Sequence, residues 1–471
     1  MKSKSGIIVS FDVDFLKSVM SKMRIIFCLC CIVCVTFRVS AQEMWTLEQC
    51  IRYACDNNIQ LKQRQLGVNQ AENDLLQSRL NLLPSLNASG SFSSSKGKVL
   101  DQNTFTIVDG QTVNSLSGSV SSSITLFKGL QQKNTIDRNL YSLMAGIQNI
   151  EKLKNDLSIN IALYYLQIIH AQEQLAVAEN QLKLTTLQVE RTAALVDAGS
   201  VPEGDLFEIQ SQAAKEELQV VTAHNTLELA RLNLAQLLDL EMRTNFQVVA
   251  PDFSNIGISE VSNSADDVFA TAETILPQVK AAEYNLKNME KQLSIARGYR
   301  SPALSLSGGY STRYSSTSKM HDPVTFAEIN YPLWDQLKDG VNSYVSVSLS
   351  IPIFNGWQVQ TNVKNARLNL QNYQYELQLV KNTLYKEIQQ AHADAVAALK
   401  QYVSASRAVT SMEEAFRYTE QRYEVGLMNF VDYSAAKTRL TAAQSDLLQA
   451  KFEYIFKTKV LDFYNGRPIT L

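Results

Sequence analysis

The feature that most constrains this chain is a change of hydrophobic period that occurs twice. From Tyr344 to Phe354 the side chains alternate, with Val345, Val347, Leu349, Ile351 and Ile353 on one side and Ser346, Ser348 and Ser350 on the other. A period of two belongs to a strand. Its replacement after Asn355-Gly356 by a period of about 3.5 requires a strand that hands over to a helix. Ser117 to Phe127 does the same, setting Val120, Ile124 and Leu126 against Ser119, Ser121, Ser123 and Thr125 before Lys128-Gly129. One shift of 227 residues carries Gly129, Gly199 and Asp205 onto Gly356, Gly426 and Asp432, which predicts two internal repeats.

Beyond each strand exit the apolar residues hold a 4,3 spacing. The first copy reads Leu157, Ile161, Tyr164, Ile168, Ala171, Leu175, Ala178 and Leu182; the second reads Leu384, Ile388, Ala391, Ala395, Ala398, Tyr402, Ala405 and Val409. After a turn, Leu206, Ile209, Ala213, Val220, Ala223, Leu227, Ala230 and Leu234 continue the pattern, matched by Tyr433, Ala436, Leu440, Leu447, Ala450 and Tyr454. A period held this long means supercoiled helices packed knobs-into-holes. Gly199 and Gly426 fall at the expected hairpin tips, where reversal favours a residue without a Cβ. More apolar seam is present than one hairpin can bury, so neighbouring helices must complete the wall.

Two further strands are expected upstream of these exits, around Leu86–Phe92 and Leu304–Tyr310, joined to their partners by loops over 96–114 and 312–342. Each strand has one apolar face and one face made largely of serine. Four such strands are too few for a soluble sandwich, but they suit a barrel wall with lipid outside and water inside. Four cannot close a barrel, whereas three chains would supply twelve. The alternative for these strands is a small soluble β-domain.

Upstream, Lys22 and Arg24 precede an apolar run from Ile25 to Phe37, followed by Val39-Ser40-Ala41. This reads as a secretory signal cleaved after Ala41, with Met20 or Met23 as candidate starts; the alternative, a membrane anchor, would need a longer run. Thr46 and Gln49 form a capping box for a short helix, and Leu61, Val68, Leu75 and Leu82 mark a second helix ended by Pro84. Cys50 and Cys55 lie five apart on the first helix and read as buried small residues rather than a disulfide. The expected organisation is a signal peptide over 1–41, a first unit over 42–240, a connector over 241–264 and a second unit over 265–471. Each unit holds a helix, a β-hairpin and a long helical hairpin.

The formal net charge is −2, so no basic face argues for nucleic acid. Four histidines, His170, His224, His321 and His392, stand apart without ligand spacing. No nucleophile elbow or phosphate loop occurs, which argues against an enzyme, a metal or a cofactor.

The duplicated helix-strand-strand-helix plan, the Leu126-Phe127-Lys128-Gly129 and Ile353-Phe354-Asn355-Gly356 exits, and the Gly199 and Tyr423-x-x-Gly426 tips resemble the TolC-type outer-membrane efflux protein family. The resemblance runs from Trp45 to about Tyr464. It implies a mainly helical chain with a membrane β part, assembled as a homotrimer. A twelve-stranded barrel in the outer membrane would continue into a twelve-helix barrel in the periplasm. It implies a passive exit duct of an efflux or type I secretion system, working with a periplasmic adaptor and an inner-membrane pump and closed at its periplasmic tip. By position it implies that Asp432 lines an acidic gate ring and that Tyr423 and Asp205 form a link holding the gate shut. An Asp after a tip loop also suits a helix N-cap. The sequence departs from the family at Ala435, where a second acidic ring often lies, at Met428, often an arginine, and at Ile59, commonly a proline that Pro277 keeps in the second copy. A poreless periplasmic adaptor or scaffold is the competing class; it leaves the serine-faced strands without a use.

Overall fold

A computed structural model describes residues 44–100, 105, 107–110, 112–240, 246–251 and 264–470. The signal peptide expected over 1–41 and most of the connector expected over 241–264 lie outside the described residues. In chain order the elements are β1 (Met44–Trp45), α1 (Leu47–Asn57), α2 (Ile59–Leu80), β2 (Ser85–Lys96), β3 (Val99–Leu100), β4 (Ile107–Val108), β5 (Thr112–Lys128), α3 (Gln131–Asp197), α4 (Glu203–Leu237), β6 (Gln247–Val248), α5 (Ala265–Ile275), α6 (Pro277–Gly298), β7 (Ala303–Ser315), β8 (Lys319–His321), β9 (Glu328–Asn330), α7 (Leu333–Asp339), β10 (Asn342–Ser350), α8 (Gln358–Glu424) and α9 (Phe430–Tyr464).

The chain is mainly helical. α3 and α8 each have 67 residues, α4 and α9 each have 35, and each pair starts 227 residues apart. α2 and α6 both have 22 residues but start 218 apart, as do β2 and β7. The nine-residue difference falls in the second strand loop, which accommodates β8, β9 and α7. At 1.5 Å per residue, α3 and α8 are each about 100 Å long.

The four long strands form one antiparallel sheet in the order β10-β7-β5-β2, so β10 and β2 are its free edges. β7 runs on to Ser315, past the loop start expected at Thr312, because Thr312–Ser315 still pair with Ser115–Gly118 of β5. β10 stops at Ser350, short of the alternation to Ile353, since Pro352 has no N–H to give a ladder.

Each sheet exit is a pair of left-handed residues. Gly129 and Leu130 have φ of 57° and 58°; Gly356 and Trp357 have 60° and 67°. Leu130 and Trp357 hold a conformation that costs an L-residue about 1–2 kcal/mol, which the packed strand and helix on either side must offset. At Gly129 space is also short: a Cβ would collide with the Gly298 carbonyl and the Ser301 side chain, whereas Gly356 faces open space. The tips close alike. Ser200 N–H donates to the Leu195 carbonyl and Leu427 N–H to the Arg422 carbonyl, both at 2.9 Å, around Gly199 (φ 69°) and Gly426 (φ 73°).

Two apolar clusters fix the short helices against the long ones. Leu47, Cys50 and Ala54 of α1 pack with Ile161, Tyr165 and Ile168 of α3; Val268 and Ala272 of α5 pack with Leu384, Ile388 and Ala395 of α8. The Thr46–Gln49 capping box starts α1. Cys50 and Cys55 are both free, as expected, but only Cys50 is buried and Cys55 is half-buried; burial pushes the Cys50 thiol up to about 12, so it acts as a small apolar residue. β1 pairs in parallel with β6, and Tyr165 Oη donates to the carbonyls of Val249 (2.5 Å) and Trp45 (3.1 Å), tying the segment before α1 to the segment that follows α4.

Candidate functional site

The ladder register sorts the strand side chains into two faces. Ser85, Ser123, Ser307 and Ser346 run across all four strands on one face, with Ser89–Ser119–Ser311 and Ser91–Ser117–Arg313 as parallel rows. Hydroxyls bridge the strands at 2.8 Å (Ser89–Ser119) and 2.7 Å (Ser91–Ser117). On the other face lie Leu86, Val345, Ile124, Leu306, Val347, Phe92 and Leu116. The serine face is the concave one: a hollow of about 540 Å³ is lined by Ser89, Ser91, Ser117, Ser119, Ser311 and Arg313. The apolar face stands in solvent, with Val345 81% and Leu86 75% exposed. So large an uncovered apolar area on a polar-lined trough is the pattern of a lipid-facing wall.

At the far end of the helices, Asp205 and Asp432 are each the third residue of a helix, α4 and α9. Neither is the N-cap. Asn429 caps α9, accepting from the Asp432 N–H at 2.8 Å, and Pro202 begins α4 without a side-chain bond. The cap explanation for these acids is therefore corrected: they sit one step inside, where the helix dipole favours a negative charge. Asp432 is exposed and Asp205 half-buried. Tyr423 is held by its own hairpin, stacked on Tyr433 with ring centres 4.5 Å apart and lying 6.3 Å from Phe430. Phe416 completes this group, 5.5 Å from Tyr433. Burial, reinforced by Glu420, Tyr423, Glu424 and Glu216, pushes the Tyr433 phenol up to about 12. Among the described residues no hydrogen bond joins Tyr423 to Asp205.

The most enclosed charge of the helical hairpins escaped the sequence reading. Glu216 of α4 is 2% exposed. One carboxylate oxygen accepts from Gln212 Nε2 (2.9 Å) and Gln181 Nε2 (3.3 Å) and lies 3.9 Å from Lys437 Nζ of α9; the other accepts from Thr185 Oγ1 of α3. Lys437 Nζ in turn donates to Thr185 Oγ1 at 2.7 Å. Burial lowers the Lys437 pKa, and Glu216 opposes that shift. A signal for the site was present: Ile209, Ala213, Glu216 and Val220 keep the 4,3 spacing, so Glu216 occupies a seam position in place of an apolar residue.

No group of His, Cys, Asp and Glu among the described residues is arranged to hold a metal ion. No described helix is long and apolar enough to cross a membrane. The sequence matches the family described as Outer membrane efflux protein over residues 50–239 and 272–458. It is 22% identical to the outer membrane protein TolC of Escherichia coli over 425 residues, covering 88% of this chain and 81% of that one. It is also 22% identical to TolC of Vibrio cholerae over 299 residues, 64% of this chain and 65% of that one. The crystal structure of the outer membrane protein VceC from Vibrio cholerae superposes with a TM-score of 0.72 at 16% identity, covering 90% of this chain and 96% of that one.

Proposed function

The chain belongs to the outer membrane efflux protein family, and from that premise we propose that it is the passive exit duct of a three-part export machine. It is an outer-membrane protein that extends into the periplasm. Two tandem units per chain, 42–240 and 265–471 around the connector, each donate one β-hairpin and one helical hairpin. Three chains then close a twelve-stranded barrel and continue it as a twelve-helix tube. An inner-membrane pump, joined through a periplasmic adaptor, supplies the driving force.

The observation that carries this reading is the sheet. Its convex face is apolar and uncovered, its concave face is serine, and β2 and β10 are unpaired edges. In lipid every backbone polar group must be satisfied, so such a sheet calls for closure by identical neighbours. Exposed apolar residues along the long helices, such as Leu184, Leu187, Leu218, Leu368 and Leu379, supply seams for those neighbours. A poreless scaffold would need neither feature.

Asp432 is the gate acid: three copies at a narrow mouth repel one another and attract cations. Tyr423 and Asp205 hold the tips closed. Planar-bilayer recording of the purified protein should show a small conductance that rises when Asp205 is replaced by Ala or Tyr423 by Ala. Tyr423→Phe keeps the stack on Tyr433, so a rise in Tyr423→Phe assigns the role to the hydroxyl and a rise in Tyr423→Ala alone assigns it to the ring. Unchanged conductance in all three variants would remove the gate assignment and leave the fold.

A further inference from the structure

The buried cluster around Glu216 is not accounted for by the wall of a tube. Lys437 Nζ, Thr185 Oγ1 and the Glu216 carboxylate form one chain of hydrogen bonds through three helices, α9, α3 and α4. Gln181 and Gln212 supply two further donors to the carboxylate. Such a cluster is stable only while every member is in place, because a charge left without its partner in a dry seam is costly. The cluster is also one-sided. The 227-residue shift carries Glu216 to Ala443, Thr185 to Met412 and Gln181 to Ala408, so the other hairpin has no counterpart. It therefore fixes one particular contact, that of α9 on the first hairpin.

That contact lies close to the tip. Glu216 is fourteen residues into α4, about 20 Å along its axis. Lys437 is one turn beyond Tyr433 on α9, and Tyr433 carries Tyr423 on its ring and has Asp432 as its chain neighbour. Asp432 and Lys437 share one rigid helix, so the rotation of α9 that seats Lys437 also sets the direction of Asp432, while Tyr423 of α8 follows α9 only through its stack on Tyr433. A groove of about 520 Å³ lined by Gln181, Gln212, Glu216, Thr438 and Thr441 opens beside the cluster, so a small outward movement of α9 would let water reach the freed charge.

We propose that Glu216, Thr185 and Lys437 form a buried polar clasp that holds α9 on the first hairpin and so keeps the periplasmic tip shut, an inference that rests on the channel reading above. Glu216 and Lys437 are positioning residues: they act on the opening through α9 rather than by lining it. Breaking one side, with Glu216→Gln or Lys437→Met, leaves an unpaired charge that is relieved when α9 moves away. Removing both charges, with Glu216→Leu and Lys437→Met together, leaves no unpaired charge to relieve, and Thr185 keeps its bond to the Gln181 carbonyl at 3.1 Å.

The test is single-channel recording of the full-length protein in planar bilayers, with the melting temperature of the same samples measured alongside. Each single variant should raise mean conductance several-fold over the wild type, Lys437→Arg should conduct like the wild type, and the double apolar variant should return toward the wild-type level. Single variants that melt lower yet conduct like the wild type would overturn the clasp and leave the channel. A double variant that stays as open as the singles would overturn it too. A wild-type protein that forms no channel would remove the channel reading and this proposal with it.

Discussion

The two helical hairpins share their backbone lengths residue for residue and differ in what they bury. The α3–α4 hairpin places Thr185, Thr192 and Glu216 in its seam among alanines and branched aliphatics. The α8–α9 hairpin holds alanines through its middle and gathers Phe416, Tyr423, Phe430 and Tyr433 at its tip. Across the 227-residue shift those aromatics face Val189, Val196, Glu203 and Leu206. Equal heptads therefore fix equal rods, while the exceptions inside the heptads set the rods apart. One rod offers a polar socket; the other carries an aromatic head and the lysine that fills the socket.

The sharpest contrast between the halves is at the strand exits. Gly129→Ala should abolish a properly assembled product, because the new methyl meets the Gly298 carbonyl and Ser301, whereas Gly356→Ala should cost only the left-handed strain of about 1–2 kcal/mol. The yield of heat-resistant assembly from membranes compares them, and equal losses would mean that the two exits are packed alike in the assembly. Ile161 and Ile388 occupy matched positions and are both 0% exposed. Replacing either with Ala should destabilise by about 2–5 kcal/mol, and by similar amounts, if the short-helix clusters are equivalent. Thermal melting decides this, and a large inequality would show that one cluster supports the fold more than the other.

The smallest effect concerns pH. His170 of α3 lies edge-on to Phe452 of α9 at 5.9 Å, where the shifted position in the second hairpin is Ala397. Burial lowers its pKa below the ordinary value near 6.5. The unfolded chain therefore takes up the proton first, so stability is full above about pH 6.5 and falls as acid carries the solution down toward the lowered folded value. His170→Gln should flatten that fall slightly in melting curves between neutral and mildly acid pH; an unchanged slope would assign the acid sensitivity elsewhere.

Much of this architecture was legible because long periodic elements announce themselves. The alternation of valine and serine around Val345 and the 4,3 spacing through Ile161 and Ile388 required no tertiary information. Gly129, Gly199, Gly356 and Gly426 were found where the period changed, and each proved to have positive φ. Local pattern does not determine a residue that answers to distant neighbours. Glu216 keeps the 4,3 spacing of α4, but only α3 and α9 around it show that this charge is buried. Asp205 and Asp432 read equally well as caps because cap and third position differ by three residues and a backbone torsion. Thr312–Ser315 looked like loop, since their polarity hides a ladder whose partner strand is equally polar.

On the proposed channel reading, three copies of this sheet complete one another along β2 and β10. Single-particle imaging of the detergent-purified protein tests it most directly. Threefold particles are expected, in which β2 of one protomer pairs with β10 of the next, closing twelve strands above a continuous helical tube. Monomeric particles with both edges free, or an assembly that turns the serine face toward lipid, would contradict it.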